Sequence, residues 1–298
     1  MNDNEKGIAY MLLSSLFFAL MAGTVKFLGE IPLAEKIFFR NLIGMFIAAY
    51  MIRKNGSSIK ANNIKMVLFR SLFGVLSIAA YFYGISQLKM ADAVILNKIS
   101  PFFIIVLAAV FLKEEIGKPQ MAALAFAVVG AVFVIKPRFD ASIVPALVTL
   151  SSGILAGTAY TILRYLRKSD SADTIVFYFC GFSTLVSIPF MILGKFVVPT
   201  ANEMLALFAV GVFGVVAQFF VTNAYRLVPA GEVSIYAYSN IIFSALIGIF
   251  LFSEIPDILS IFGGSVIILA GFINFQAGRK KKKKAGLERK KRLSSQAS

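Results

Sequence analysis

Ten apolar runs, most of them close to the length of one bilayer crossing, dominate this sequence. They fall near residues 7–28, 33–52, 64–86, 91–112, 121–135, 143–165, 175–193, 204–223, 233–252 and 258–275. An α-helix rises about 1.5 Å per residue, so about 20 apolar residues cross the roughly 30 Å hydrocarbon core. The chain is 58% hydrophobic and 15% charged, with a mean hydropathy of +0.82; soluble domains carry about 25% charged residues. The runs take up most of the 298 residues and leave no room for a separate soluble domain. Inside lipid every backbone N–H and C=O must be satisfied within the protein, which for runs of this length means helices. The sequence predicts an all-α polytopic membrane protein with ten transmembrane helices.

Turn and charge signals separate the runs, as at 53–58, 113–120, 136–140, 167–173 and 199–203. Most prolines mark boundaries, whereas Pro101 and Pro189 fall inside a span, where proline kinks a helix and frees a carbonyl. The first run is too long for a signal-peptide core and has a counterpart later in the chain, so it reads as a helix. Lys and Arg gather on cytoplasmic loops. With the N-terminus inside, those loops hold Arg53, Lys54, Lys60, Lys65, Lys113, Lys118, Arg164, Arg167, Lys168 and Arg226. The outer loops hold little beyond Lys36, Lys89, Lys136, Arg138 and Lys195. Both termini are therefore expected in the cytoplasm, with the protein in the plasma (inner) membrane.

The chain also repeats itself. Residues 84–116 align without a gap to 223–255: Leu88, Ala91, Val94, Ser100, Leu107, Phe111, Leu112, Glu115 and Ile116 fall on Leu227, Ala230, Val233, Ser239, Leu246, Phe250, Leu251, Glu254 and Ile255. Leu13, Ser14, Ser15, Ala19, Ala22 and Thr24 likewise fall on Leu150, Ser151, Ser152, Ala156, Ala159 and Thr161. Each half has five helices, an odd number, so the second must enter the membrane upside down. The expected units are 1–140, 141–278 and a basic tail, 279–298. Inverted repeats allow two related halves to rock about a site at the bilayer midplane, a pattern found in transporters.

These residues carry a resemblance. Two five-helix halves, each ending its fourth helix in Phe-Leu-x-x-Glu (Phe111 to Glu115 and Phe250 to Glu254), resemble the EamA branch of the drug/metabolite transporter superfamily. Ala91 to Pro137, with Asn97-Lys98-Ile99-Ser100-Pro101-Phe102, is similar to the first EamA unit, and Lys26, Phe39 and Arg40 fall where that family often has them. The likeness runs from about residue 7 to 276. One departure is the missing tryptophan of the first helix, where this chain offers Phe17 and Phe18. The resemblance implies movement of small metabolites through a cavity between the halves.

Absences narrow the chemistry. There is no histidine, which removes His-based triads, His-ligated metals and His relays. Cys180 is the single cysteine and reads as a small buried hydrophobe. No cofactor is expected. The net charge of +15 could suggest nucleic acid, but residues 279–298 alone hold ten basic residues against Glu288. A polybasic stretch directly after a span is more simply a cytoplasmic anchor to anionic lipid. The expected partners are a small-molecule substrate and membrane lipid, with the chain acting as a monomer.

Charges inside spans cost at least roughly 2.5–3.5 kcal/mol each at the helix centre, so each needs a reason. Lys98, beside Asn97 and Ser100 and close to Pro101, either snorkels to the outer interface or faces a cavity and pairs with a carboxylate or phosphate. Arg40 offers the same choice, with Glu30 or Glu35 available to neutralise it. Lys26 and Arg70, nearer their span ends, read as snorkelling. No span has a carboxylate at its middle, which argues against a proton-exchanging exporter of organic cations and tilts the substrate toward an anion or zwitterion. At helical spacing Arg70, Gly74, Ser77 and Tyr81 form one stripe, and Tyr236, Asn240, Ser244 and Gly248 another. Small residues on such stripes serve close packing. Tyr81, Tyr160, Gln218, Tyr236 and Asn240 are large enough to need partners and are candidates to line a wet cavity. Glu115 and Glu254 recur symmetrically and read as braces of helix ends. An integral membrane enzyme would need a nucleophile, base or metal set that these short loops lack. A purely structural subunit would need neither basic residues in its spans nor an inversion. The substrate classes that fit are an amino-acid-like zwitterion, a nucleotide-like metabolite and a sugar phosphate.

Overall fold

The computed structural model describes the backbone of all residues except 1, 113–115, 138–142, 167–168, 195, 229–232 and 297–298; the side chains of 108, 112, 164, 222, 225–226 and 279–296 also lie outside the description. Among the described residues the regular structure is helical. The elements are α1 Asp3–Phe27, α2 Leu33–Asn55, α3 Ile64–Gln87, α4 Met90–Asn97, α5 Ser100–Leu112, α6 Lys118–Ile135, α7 Val144–Leu166, α8 Ala172–Leu193, α9 Ala201–Leu227, a 3₁₀ segment Ser234–Tyr238, α10 Ser239–Phe252 and α11 Ile258–Gln296. Nine helical stretches among the described residues are long and apolar enough to cross a membrane, counting α4–α5 and the 3₁₀–α10 pair as one each. The tenth, α2, has the length but carries Glu35, Lys36, Arg40, Arg53 and Lys54. The side chains of the basic tail and of Glu115 fall outside the described residues.

Local chemistry sets the ends. Asn2 accepts the Glu5 N–H at 2.9 Å while the Glu5 carboxylate takes the Asn2 N–H at 3.0 Å, a reciprocal cap on α1. Asn63, Ser171 and Thr200 cap α3, α8 and α9 by accepting the N–H of Met66, Thr174 and Glu203. Gly56, at φ +63°, stops α2 in the left-handed conformation that glycine adopts without strain.

The packing follows the repeat. α1 lies against α9 and α3 against α7; α2 pairs with α8, α6 with α11 and α4 with α10. Exchanging the first half for the second turns the α1–α9 pair into the α7–α3 pair and maps each remaining pair onto itself. The bundle thus has the two-repeat architecture, with the second five helices inverted. At the α6–α11 crossing a Cβ on Gly130 would meet the Gly263 carbonyl at 2.7 Å, and one on Gly263 would meet the Gly130 carbonyl at 2.5 Å. Those backbones touch only because both positions lack side chains. Buried apolar residues such as Leu96, Phe102, Ala127 and Ile267 fill the interior near this crossing. Outward-facing Ile192 and Leu193 are 76% and 87% exposed, which suits hydrocarbon rather than water.

Candidate functional site

The fourth span is broken where the sequence places its deepest lysine. Lys98 caps α4, its N–H donating to the Val94 and Ile95 carbonyls at 3.0 and 3.1 Å, and the Ile99 N–H reaches Leu96 at 3.3 Å. Pro101 lies in the first turn of α5 and has no N–H to offer the Asn97 carbonyl. The ninth span breaks at the matching place, where a 3₁₀ turn runs into α10. No proline does that work, because Asn240 stands where the first half has Pro101. Both breaks are held alike. Asn97 Nδ2 donates to Ser152 Oγ at 2.9 Å, and the Ser15 hydroxyl donates to the Tyr236 and Ala237 carbonyls at 3.4 and 3.5 Å. Asn240 Nδ2 returns a bond to the Ser15 carbonyl at 2.9 Å. Ser15 and Ser152 are repeat partners, so a serine on the first helix of each half holds the broken helix of the other. Gly153, beside Ser152, lets α7 approach the break; a Cβ there would lie 3.1 and 3.2 Å from the Leu96 and Asn97 carbonyls. Lys98 is half-buried, and no described residue forms an ion pair or side-chain hydrogen bond with its ammonium.

Two guanidiniums come near one another elsewhere in the bundle. Arg40, on α2, donates from Nη1 to Asn41 Oδ1 at 3.1 Å, while its Nε is shielded from solvent without a partner. Arg70, expected to snorkel, instead lays its guanidinium over the Phe179 ring with Cζ 4.1 Å from the centroid, and its Nε and Nη1 are shielded and unpartnered. The two lie within electrostatic range of each other, and both of Tyr160 and Cys180. Glu35 does not neutralise Arg40: its Oε1 takes the Val197 N–H at 3.0 Å instead. The sequence placed Arg70 on a polar stripe with Gly74 but missed that Gly74 lets Phe179 close in; a Cβ there would meet that ring at 2.7 Å.

The other candidates are spread about the bundle. Tyr81 lies beside Phe82, ring centroids 6.3 Å apart, where two core clusters meet. Tyr160 and Tyr236 are 48% and 36% exposed. Gln218, next to the Ala217 carbonyl that accepts Ser14 Oγ at 2.8 Å, is engaged within the fold. Glu254 takes the Met90 N–H on Oε2 at 2.8 Å and pairs through Oε1 with Lys26 at 2.5 Å. Lys26 also donates to the Leu88 carbonyl at 2.6 Å rather than reaching for the surface.

That pair belongs to a charged cluster at one end of the bundle which the sequence did not reveal. Lys136 pairs with Asp257 and, at 3.6 Å, with Asp92; Lys89 lies 3.8 Å from Asp257. Burial pushes the Asp257 carboxyl up, but the Lys136 hydrogen bond, the Ser260 N–H and the Lys136 and Lys89 charges outweigh it and hold the group down at about 2. Asp257 therefore stays ionised across the physiological range. Lys136 and Ser253, with φ of +50° and +54°, are the positive-φ non-glycine residues among those described, and both sit at this end. A cavity of about 150 Å³ opens here between Leu88, Asp92, Lys136 and Ala146. At the opposite end Asp173 accepts from Asn55 at 2.8 Å and from Ser57 at 3.2 Å, and Asp170 accepts the Asn62 N–H at 2.6 Å. Among the described residues no group of three His, Cys, Asp or Glu is placed to hold a metal ion.

Two interlocked repeats with paired helix breaks are the architecture of an integral membrane transporter of small molecules, and the family and the relatives below support that class rather than an enzyme. The chain belongs to the EamA-like transporter family, whose model matches residues 5–136 and 144–276. It is 36% identical over 269 residues to the pseudopaline exporter CntI of Pseudomonas aeruginosa, covering 89% of this chain and 94% of that one. It is 25% identical over 280 residues to the S-adenosylmethionine uptake transporter of Rickettsia prowazekii, covering 91% and 94%, and 24% identical to human solute carrier family 35 member G1, covering 89% and 77%. A solved crystal structure superposes with a TM-score of 0.66 at 18% identity, covering 93% of this chain and 98% of that one, a likeness of fold.

Proposed function

We propose that the chain moves an anionic or zwitterionic, amino-acid-like metabolite across the plasma membrane by alternating access, with the halves 1–140 and 141–278 rocking about a central cavity. The observation that carries this reading is uncompensated positive charge inside the spans: Arg40, Arg70 and Lys98 have no carboxylate partner among the described residues. A substrate acid would supply the missing charge where water cannot. Lys98, Asn97, Arg40, Tyr81, Tyr160, Gln218, Tyr236 and Asn240 are the proposed lining, with Pro101, Glu115 and Glu254 as structural supports. The relatives include both an exporter and an uptake transporter, which fits a fold whose direction of net flux follows the gradient. The likeness to S-adenosylmethionine uptake transporters favours, as a second reading, a nucleotide-like metabolite. Purified protein in liposomes is expected to carry its substrate without an imposed pH gradient, because the middles of the spans hold no titrating carboxylate. Flux that appears only with a gradient and collapses with an uncoupler would overturn this.

The proposal places both termini in the cytoplasm, the protein acting as a monomer and the 279–298 tail lying against anionic lipid. The charged cluster around Lys136 and Asp257 then faces outward, and the Asp170–Asp173 contacts face inward. In intact cells an impermeant thiol reagent is expected to label Val198→Cys, whose native residue is 78% exposed. Lys54→Cys should react only after permeabilisation, with buried Cys180 as the background. Labelling of Lys54→Cys in intact cells would invert the assignment.

A further inference from the structure

We propose that Arg40 and Arg70 act as a two-point clamp for a substrate carrying two carboxylates, one for each guanidinium. The inference rests on the transporter reading above and narrows its substrate to a dicarboxylate class. Each guanidinium has five N–H donors and no acceptor. Arg40 spends one on Asn41, and the shielded Nε atoms of both residues and Nη1 of Arg70 have nothing to donate to. A shielded donor left unsatisfied is destabilising, the more so when it is charged. Two cations within range of one another in a low-dielectric interior also repel. The neighbours within range are Tyr160 and Cys180, neither of them a carboxylate. One carboxylate accepts a bidentate pair from one guanidinium, and a monoanion would leave the second cation uncompensated. Two acids on one molecule answer both.

The surroundings hold these side chains in place without adding charge. Phe179 supports the flat face of Arg70 at 4.1 Å. Gly74 and Gly214 keep side chains away from the two guanidiniums, where an added Cβ would come to 3.4 Å from Arg70 Nη1 and 3.5 Å from Arg40 Nε. The two arginines come from α2 and α3 of the first half, whereas Phe179 and Cys180 come from α8 and Gly214 from α9 of the second. The clamp therefore sits where the repeats meet, and its grip depends on their relative position.

Cys180 is the single cysteine of the chain and packs against Gly44, where a Cβ would meet its sulfur at 2.8 Å; it serves as a native reporter. The experiment follows alkylation of Cys180 and the melting temperature of the purified full-length protein with succinate, glutarate or adipate, with butyrate, valerate or hexanoate, and with glycerol 3-phosphate. The expected result is that a dicarboxylate of one preferred length slows alkylation and raises the melting temperature at concentrations where the matched monocarboxylate does neither. Arg40→Gln and Arg70→Gln should each weaken that effect about 10-fold or more, the loss of one charge-assisted bond. Each should also leave the ligand-free melting temperature unchanged or higher, since shielded donors without partners are removed. Arg70→Lys and Arg40→Lys, which keep the charge but not the planar fork, should retain part of the effect. Equal protection by mono- and dicarboxylates, protection by glycerol 3-phosphate alone, no protection by any of them, or melting temperatures that fall in both Gln variants with the dicarboxylate effect intact would each overturn the clamp. Liposome flux of a monoanionic metabolite would leave the transporter reading standing even then, so the two failures are distinguishable.

Discussion

Lys26→Met is expected to destabilise the purified protein by about 3 kcal/mol, and Glu254→Gln by less. Breaking a buried pair from one side costs about 3–5 kcal/mol because the surviving charge loses its counter-ion. Here the side chains are 13% and 20% exposed, which favours the low end of that range. The asymmetry follows from what each survivor retains. Without the Glu254 charge, Lys26 still donates to the Leu88 and Ile85 carbonyls at 2.6 and 3.3 Å. Without Lys26, the Glu254 carboxylate keeps, among the described residues, the Met90 N–H at 2.8 Å. The pair joins α1 to the turn between α10 and α11, which also meets the start of α4, so its loss loosens the end of the bundle where the two halves join. Thermal melting of the two single variants and of Lys26→Met combined with Glu254→Gln provides the measurement. The double variant should recover most of the loss, since neither charge is then stranded. Additive single losses would show that the two groups do not interact.

The fold was legible because membrane solvation leaves few choices. Ten apolar runs of spanning length had to be helices, and the repeated Phe-Leu-x-x-Glu endings with an odd helix count implied inversion. The charge-rich α2 is less apolar than the other nine spans, yet it still reads as the second of the ten runs. Pro101 announced the break in the fourth span. Its counterpart at Ser234–Tyr238 was hidden because Asn240 occupies the matching position, and the turn there depends on the tertiary bonds from Ser15. Likewise nothing in sequence spacing told that Lys136, Asp92 and Asp257 meet, since their neighbourhood is set by how α4, α6 and α11 pack.

Arg70 shows where the reading of polar positions went wrong. Its position near one end of α3 satisfied the rule that long basic side chains reach for the interface. That rule weighs distance to water but ignores what the interior offers. Phe179 supplies an aromatic face from another helix, 109 residues away in the chain, and a cation over a desolvated ring gains about 2 kcal/mol. Arg40 is a candidate in the sequence, but Glu35, one of the two acids expected to neutralise it, is diverted to the Val197 backbone. Charge alone marked the residues, and only the packing showed which acids were taken.

Lys98→Met is expected to weaken substrate affinity about 10- to 150-fold, the loss of a charge-assisted hydrogen bond of about 1.5–3 kcal/mol, while folding survives. Methionine keeps the length and apolar bulk of lysine, and no described residue forms a pair that the substitution would break. The melting temperature of the ligand-free protein should therefore hold or rise. Lys98 is one of the positions at which the two breaks differ, with Asn97 against Tyr236 and Pro101 against Asn240. Ser15 and Ser152 brace both, Ser100 and Ser239 recur in both, yet Lys98 faces Ala237 across the repeat. The serines already brace both breaks, and Lys98 takes no part in that bracing, which points to recognition instead. Lys98→Arg keeps the charge with a different donor geometry and should fall between wild type and Lys98→Met. Affinity and flux measured in liposomes, with melting temperature alongside, decide the matter. Unchanged affinity in a folded Lys98→Met variant would assign the lysine to the outer interface, about 10 Å away along the helix, and leave the two arginines to bind the substrate alone.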